Sequence, residues 1–247
     1  MSNKSIFFIG VFGVSLFANG VLCQSSIQFT DLVMGDSLKT TGRLLQNHSY
    51  GLYAIEYPQA KIDTIFVAVH GYESEGYEWV YALRKMASSG NQTYYFRNNW
   101  NQCPSIITSE LKSHLQQLIL DNTNIKHIII FGHSYGGVIV GGLIDDDFPI
   151  SLEIHSLAAP LAGINRTTMY CPNFPKFQEM KMVNSFNEWR TVHKQDGAFK
   201  NIIQDPQIVE INNSNIVKLP PYFKNGRRLG HNWSITWVID KYFKKDK

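Results

Sequence analysis

Apolar positions along this chain come in two alternating textures. Short apolar runs rich in β-branched and aromatic residues take turns with longer stretches spaced as one face of a helix. Residues 51–57 alternate apolar and polar positions, which predicts a half-buried strand. Residues 64–69 are nearly all apolar, which predicts a strand covered on both faces. Residues 77–87 have helical spacing, residues 93–96 read as a strand, and residues 105–120 as a second helix. A strongly apolar strand over 127–131 is stopped by Gly132 and followed by an apolar helix over 138–144. Further strands are expected over 154–158 and 189–192, with another at 207–211 and a last helix over 233–243.

Strands alternating with helices imply an α/β domain with a mainly parallel sheet and helices on both faces. In such sheets reactive groups gather in the turns at the carboxyl ends of the strands. The most informative turn is Gly132-His133-Ser134-Tyr135-Gly136, held between an apolar strand and an apolar helix. A sharp strand-to-helix turn strains the backbone at the serine and exposes its Oγ. The flanking glycines leave room where a Cβ would collide. A phosphate-binding loop fits less well, because no lysine follows the glycines.

This segment resembles the nucleophile elbow of the α/β-hydrolase fold, in the Gly-His-Ser-Tyr-Gly-Gly form of lipases and esterases. The resemblance runs from residue 64 to the helix after His231. It implies Ser134 as nucleophile, followed along the chain by an acid and then a histidine. His231, just before the last helix, is the expected base. His155 falls inside an apolar strand, and His193 precedes the best acid. That acid is Asp196, past a strand and before Gly197. Asp205 is the runner-up, while Asp145, Asp146 and Asp147 read as a solvated helix end. The pair His70-Gly71 implies an oxyanion loop, with the backbone N–H groups of Tyr72 and Tyr135 as donors. His70 itself is expected to hold that loop. Tyr72, Tyr77 and Trp79 are candidates for lining a substrate pocket, or for the core. The turn Ala158-Ala159-Pro160-Leu161-Ala162-Gly163 resembles one found in acyl-releasing hydrolases, which points toward lipid or other acyl esters. Thioester, amide or peptide substrates remain open on the same fold. The implied reaction needs no metal or organic cofactor. A small or minimal cap is expected between residues 163 and 187.

Composition adds limits. Among 247 residues, 23 Lys and Arg face 20 Asp and Glu, a net charge of +3 that gives no reason to expect a nucleic-acid partner. Transient contact with a lipid surface stays open. Lys4 and the apolar run over residues 6–18 read as a secretory leader over 1–23, cleaved after Gly20 or Cys23, with an uncleaved anchor as the alternative. One domain over 24–247 and a secreted or periplasmic location follow. In an oxidising compartment Cys103 and Cys171 are expected to pair, the alternative being two buried thiols. Asn-x-Ser/Thr sites occur at Asn47, Asn91, Asn165, Asn212 and Asn232, and matter only in a glycosylating host.

Overall fold

The computed structural model describes residues 26–58 and 60–244. The expected leader over 1–23, with the start of the mature chain, and the tail residues Lys245, Asp246 and Lys247 lie outside the described residues.

The strands are β1 (Ile27–Gln28), β2 (Gly51–Glu56), β3 (Lys61–Val69), β4 (Asn91–Arg97), β5 (His127–His133), β6 (Ser151–Leu157), β7 (Ser185–Arg190) and β8 (Asn215–Lys218). They form one sheet in the order β1-β2-β4-β3-β5-β6-β7-β8. Only the β2–β4 pair is antiparallel. The helices are α1 (Leu38–Asn47), α2 (Tyr77–Ala87), α3 (Pro104–Asp121), α4 (Tyr135–Gly141), α5 (Asn165–Tyr170) and α6 (Trp233–Tyr242).

The apolar runs read as doubly covered strands are explained by their side-chain alternation. In β3, Ile65, Val67 and Val69 enter one core while Phe66 and Ala68 enter the other. In β5, Ile128 and Ile130 face the first core while Ile129 and Phe131 face the second. Helices α3 and α4 close the first core with Ile107, Leu111, Leu115, Val138 and Ile139. Helices α2 and α6 close the second with Trp79, Leu83, Ile235 and Val238. Each such side chain contributes roughly 1.5–3 kcal/mol on burial. Parallel pairing then sets the carboxyl ends of β3, β5, β6 and β7 along one rim, with Val69 opposite Gly132 and Gly132 opposite Ser156.

Two expectations are corrected. Residues 51–57 are not half-buried: Leu52, Tyr53 and Ile55 are 7%, 1% and 0% exposed. Leu52 packs on one core, while Tyr53 and Ile55 pack on the other with Leu45 of α1, a helix the apolar pattern did not reveal. Residues 207–211 form no strand; β8 lies at Asn215–Lys218. Pro206 has no N–H to give a ladder, and Asp205 Oδ1 accepts the Gln207 N–H at 3.1 Å, closing a turn.

The cap is minimal. Between β6 and β7 the chain forms α5 and a short 3-10 turn at Phe177–Glu179. A disulfide joins Cys171, just past α5, to Cys103, at the entry to α3. The bridged residues are 68 apart in sequence. Closing a loop of that length in the unfolded chain gives about 4 kcal/mol in the chain-entropy model. Replacing both cysteines by serine should therefore lower the denaturant-unfolding free energy by ~2–4 kcal/mol, and a loss below ~0.5 kcal/mol would contradict this account.

Candidate active site

Ser134 sits between the end of β5 and the start of α4 with φ 55° and ψ −122°. A positive φ at a non-glycine residue costs ~1–3 kcal/mol and persists only where the surroundings enforce it. They do so here. The Ser134 N–H donates to Leu157 O at 2.8 Å, and the Gly137 N–H donates to Ser134 O at 2.9 Å. A Cβ on Gly136 would lie 2.3 Å from Val69 O, and one on Gly132 would lie 2.2 Å from Gly136 O. These two glycines let α4 press onto β3 and β5, which tightens the turn.

Asp196, after β7, has no exposed surface. Its Oδ2 accepts the His231 Nδ1–H at 2.9 Å and the Thr191 hydroxyl, and its Oδ1 accepts the Ala198 N–H at 2.9 Å. Burial raises the pKa of this carboxyl. The hydrogen bond and charge of His231, then the bonds from Thr191 and Ala198, outweigh burial and hold it below its ordinary value. The group is thus a carboxylate at neutral pH. Its hold on Nδ1–H leaves Nε2 of the neutral ring as a proton acceptor.

Thr191 is braced in turn by Gln207. The Thr191 N–H donates to Gln207 Oε1 at 2.8 Å, and Gln207 Nε2 donates to Thr191 O at 3.2 Å. Asp205 Oδ1 accepts from Gln207 Nε2 at 3.1 Å. The runner-up acid therefore buttresses the loop behind Asp196. Asp146 pairs with Lys112, in the triplet beyond α4. His155 accepts from Trp189 Nε1 at 3.0 Å, bonds Glu153 at 2.8 Å and stacks on Phe131, as a core histidine does. His193 Nε2–H donates to Phe199 O at 2.9 Å.

The elbow and the imidazole are tied through His133, a residue the sequence reading passed over. Its Nε2–H donates to His231 O at 3.1 Å, and the two rings lie 4.6 Å apart. Phe199 meets the His231 ring edge-on at 4.9 Å. The structure brings Asp196 and His231 into a hydrogen bond, and His133, next to Ser134 in the chain, bonds the His231 backbone. Among the described residues no hydrogen bond joins Ser134 Oγ to the imidazole.

Gly71 packs against the elbow: a Cβ there would lie 2.9 Å from Ser134 Cβ and 3.3 Å from the Tyr135 N. The loop leading to Tyr72 thus abuts the residue whose N–H follows Ser134. His70 is buried; its Nε2 accepts the Asn98 N–H at 3.0 Å and its Nδ1–H donates to Gly71 O at 3.0 Å. Burial first, then the Arg97 charge, outweigh the Gly71 bond and push its pKa down to about 3. A neutral histidine there pins the loop.

A cleft of about 710 Å³ opens on His231. Its walls include Met34, Leu38, Tyr77, Tyr81 and Trp233, with Glu78 and Arg228 as charged members. Ser134 is not among the lining residues, nor is Tyr72, which is 37% exposed beside Gly71. Tyr77 lines the cleft as expected. Trp79 does not: it is 0% exposed in the second core, because two steps along α2 turn a side chain from the cleft side to the core side. The Tyr135 side chain is also buried, its Oη donating to Gln102 O at 2.7 Å.

Sheet order, elbow and rim together define the α/β-hydrolase fold. Comparison with solved structures gives the same fold. Est1E from Butyrivibrio proteoclasticus, solved with ferulic acid bound, is 12% identical, with a TM-score of 0.56 over 79% of this chain and 94% of that one. An esterase from Pyrococcus furiosus is 11% identical, with a TM-score of 0.50 over 79% and 82%. An alpha-beta serine hydrolase homologue from Coxiella burnetii is 12% identical, with a TM-score of 0.50 over 78% and 90%. No protein-family model matches the sequence, and no curated protein matches it.

Two outcomes follow from this geometry. Thr191→Val removes one of the donors to a fully buried carboxylate and should cost ~1.5–3 kcal/mol of unfolding free energy, whereas Thr191→Ser should retain most of it. The second concerns acid. His133 is pushed down to about 3, chiefly by burial and then by the His231 charge. Below pH 6.5 the unfolded chain takes up this proton and the folded one does not until about pH 3, so stability falls with falling pH across that window. His133→Gln should flatten the slope of unfolding free energy between about pH 5.5 and 4 by ~1.4 kcal/mol per pH unit. An unchanged slope would show that His133 is already protonated in the fold.

Proposed function

We propose that this chain is a serine hydrolase that cleaves carboxylic esters through Ser134, His231 and Asp196. The observation that carries the reading is a serine in left-handed backbone at a strand-to-helix turn, tied through the neighbouring His133 to a histidine whose imidazole donates to a fully buried carboxylate. Few structural roles need that combination. The fold shared with esterases supports it.

In the proposed reaction Ser134 Oγ attacks the ester carbonyl while its proton passes to His231 Nε2. Asp196 keeps the ring oriented through Nδ1–H and offsets the charge it gains. The Tyr72 and Tyr135 backbone N–H groups donate to the oxyanion that forms, the kind of contact whose loss costs ~2.7–4 kcal/mol in barrier where a side chain supplies it. The C–O bond breaks and the alcohol leaves with the proton from His231. Water then attacks the acyl-enzyme and restores Ser134. The apolar walls supplied by Met34, Leu38, Tyr77 and Trp233 support an acyl substrate with hydrocarbon character. The pairing of Cys103 with Cys171 supports the reading of residues 1–23 as an export signal.

Labelling by a fluorophosphonate probe tests the nucleophile. Wild type should label and Ser134→Ala should not; a wild type that does not label would favour a binding protein on this scaffold. His231→Ala and Asp196→Asn should each lower kcat on nitrophenyl esters about 10³–10⁴-fold. Should Asp205→Asn do so while Asp196→Asn does not, the acid is misassigned. Parallel assays on matched thioesters and amides would replace the ester reading if either were cleaved faster.

A further inference from the structure

The C-terminal part of the chain is rich in positive charge. Residues 218–244 contain Lys218, Lys224, Arg227, Arg228, Lys241 and Lys244 against a single acid, Asp240. That is a net +5 in a chain whose total is +3, so the remainder carries −2. The one acid is already engaged, because Tyr81 Oη donates to Asp240 Oδ1 at 2.5 Å. Among the described residues none of the six cations takes part in an ion pair.

Aromatic rings stand among these charges. Residues 222–228 form a small hairpin: Tyr222 bridges Arg228, and the Phe223 N–H donates to Arg227 O at 2.8 Å. The Arg227 guanidinium lies 3.5 Å over the Trp233 ring, and Phe223 meets that ring edge-on at 6.0 Å. Tyr222 and Trp233 nonetheless stay 51% and 39% exposed. Beside them runs a groove of about 430 Å³ lined by Phe223 and Trp237 and rimmed by Lys224, Lys241 and Lys244. Arg228 and Trp233 also line the His231 cleft, so the basic face and the cleft mouth share an edge.

We propose that this face, the 222–228 hairpin with the outer side of α6, docks the protein on an anionic lipid surface. Cationic side chains meet the negative headgroups, while Tyr222 and Trp233 take the boundary between headgroup and acyl chain. Rings with one polar edge suit that boundary. A local excess of positive charge suits a planar anionic partner, and the −2 of the remainder argues against a chain-wide affinity for polyanions. Docking in this orientation brings the His231 cleft up to the lipid. The proposal goes beyond ester hydrolysis, and its test needs no turnover.

The test is co-sedimentation of the purified protein with vesicles of phosphatidylcholine alone or with about one third phosphatidylglycerol, at ~0.1 M salt. Binding should appear only with the anionic vesicles and weaken at least about tenfold at ~0.5 M salt. Lys224→Glu with Arg228→Glu should weaken it about tenfold or more, while Lys61→Glu with Lys126→Glu, the same change of charge at the far end of the sheet, should leave it within about twofold. Brominated acyl chains should quench tryptophan fluorescence in wild type, and less in Trp233→Phe. Circular dichroism confirms folding of each variant, and the salt series needs no variant at all. Equal binding to both vesicles, equal loss in the control pair, or tight binding to single-stranded DNA with the vesicles ignored would each overturn the proposal. Protein that labels with fluorophosphonate yet ignores vesicles would overturn this proposal alone and leave the hydrolase reading standing.

Discussion

A carboxylate with no contact with water is the constraint around which this molecule is arranged. Removing the charge of Asp196 from solvent costs several kcal/mol unless donors replace the lost hydration. Three donors do: Thr191 and the backbone at Ala198 belong to the loop after β7 that carries Asp196, and His231 comes from the remote segment before α6. The carboxylate thereby fixes the position of the C-terminal segment relative to the sheet. Gln207 and Asp205 extend the bracing outward, so the loop after β7 is held from behind as well as from the front. His133 completes the arrangement by tying the elbow to the carbonyl of the histidine that Asp196 holds.

The parts legible in the sequence are those decided by short-range pattern. The apolar runs at β3 and β5 are doubly covered strands whose successive residues enter opposite cores, and their short length and β-branched and aromatic content favoured that reading over a buried helix. The elbow could be located because two glycines flank a serine between a strand and a helix, a local steric requirement written in consecutive residues. Asp196 and His231 could be chosen by order along the chain and by nearness to element ends. The range of α2 came out as the pattern predicted.

What the sequence concealed depends on long-range contact. Helix α1 carries Thr40, Thr41 and Gly42 in its middle, poor helix formers held in place by tertiary packing. Its Gly42 fits directly under the backbone of Tyr77, where a Cβ would lie 2.4 Å from the Tyr77 N. Trp79 and Tyr77 look alike in sequence, and only the rotation of α2 sends one to the core and the other to the cleft. The apolar residues at 207–211 imitate a strand, yet Pro206 offers no N–H and the Gln207 N–H is taken by Asp205 Oδ1, so the segment opens as a turn. His133 could have been suspected only by asking what a histidine does beside the serine, and its partner lies 98 residues away.

The distances along the chain carry one more consequence. The strained serine, its glycine neighbour at residue 71, the buried acid and the histidine come from segments spread over some 160 residues. A chain whose sheet has not closed holds them far apart. Assembly of the whole sheet is therefore what draws the serine turn, the carboxylate and the imidazole toward one rim.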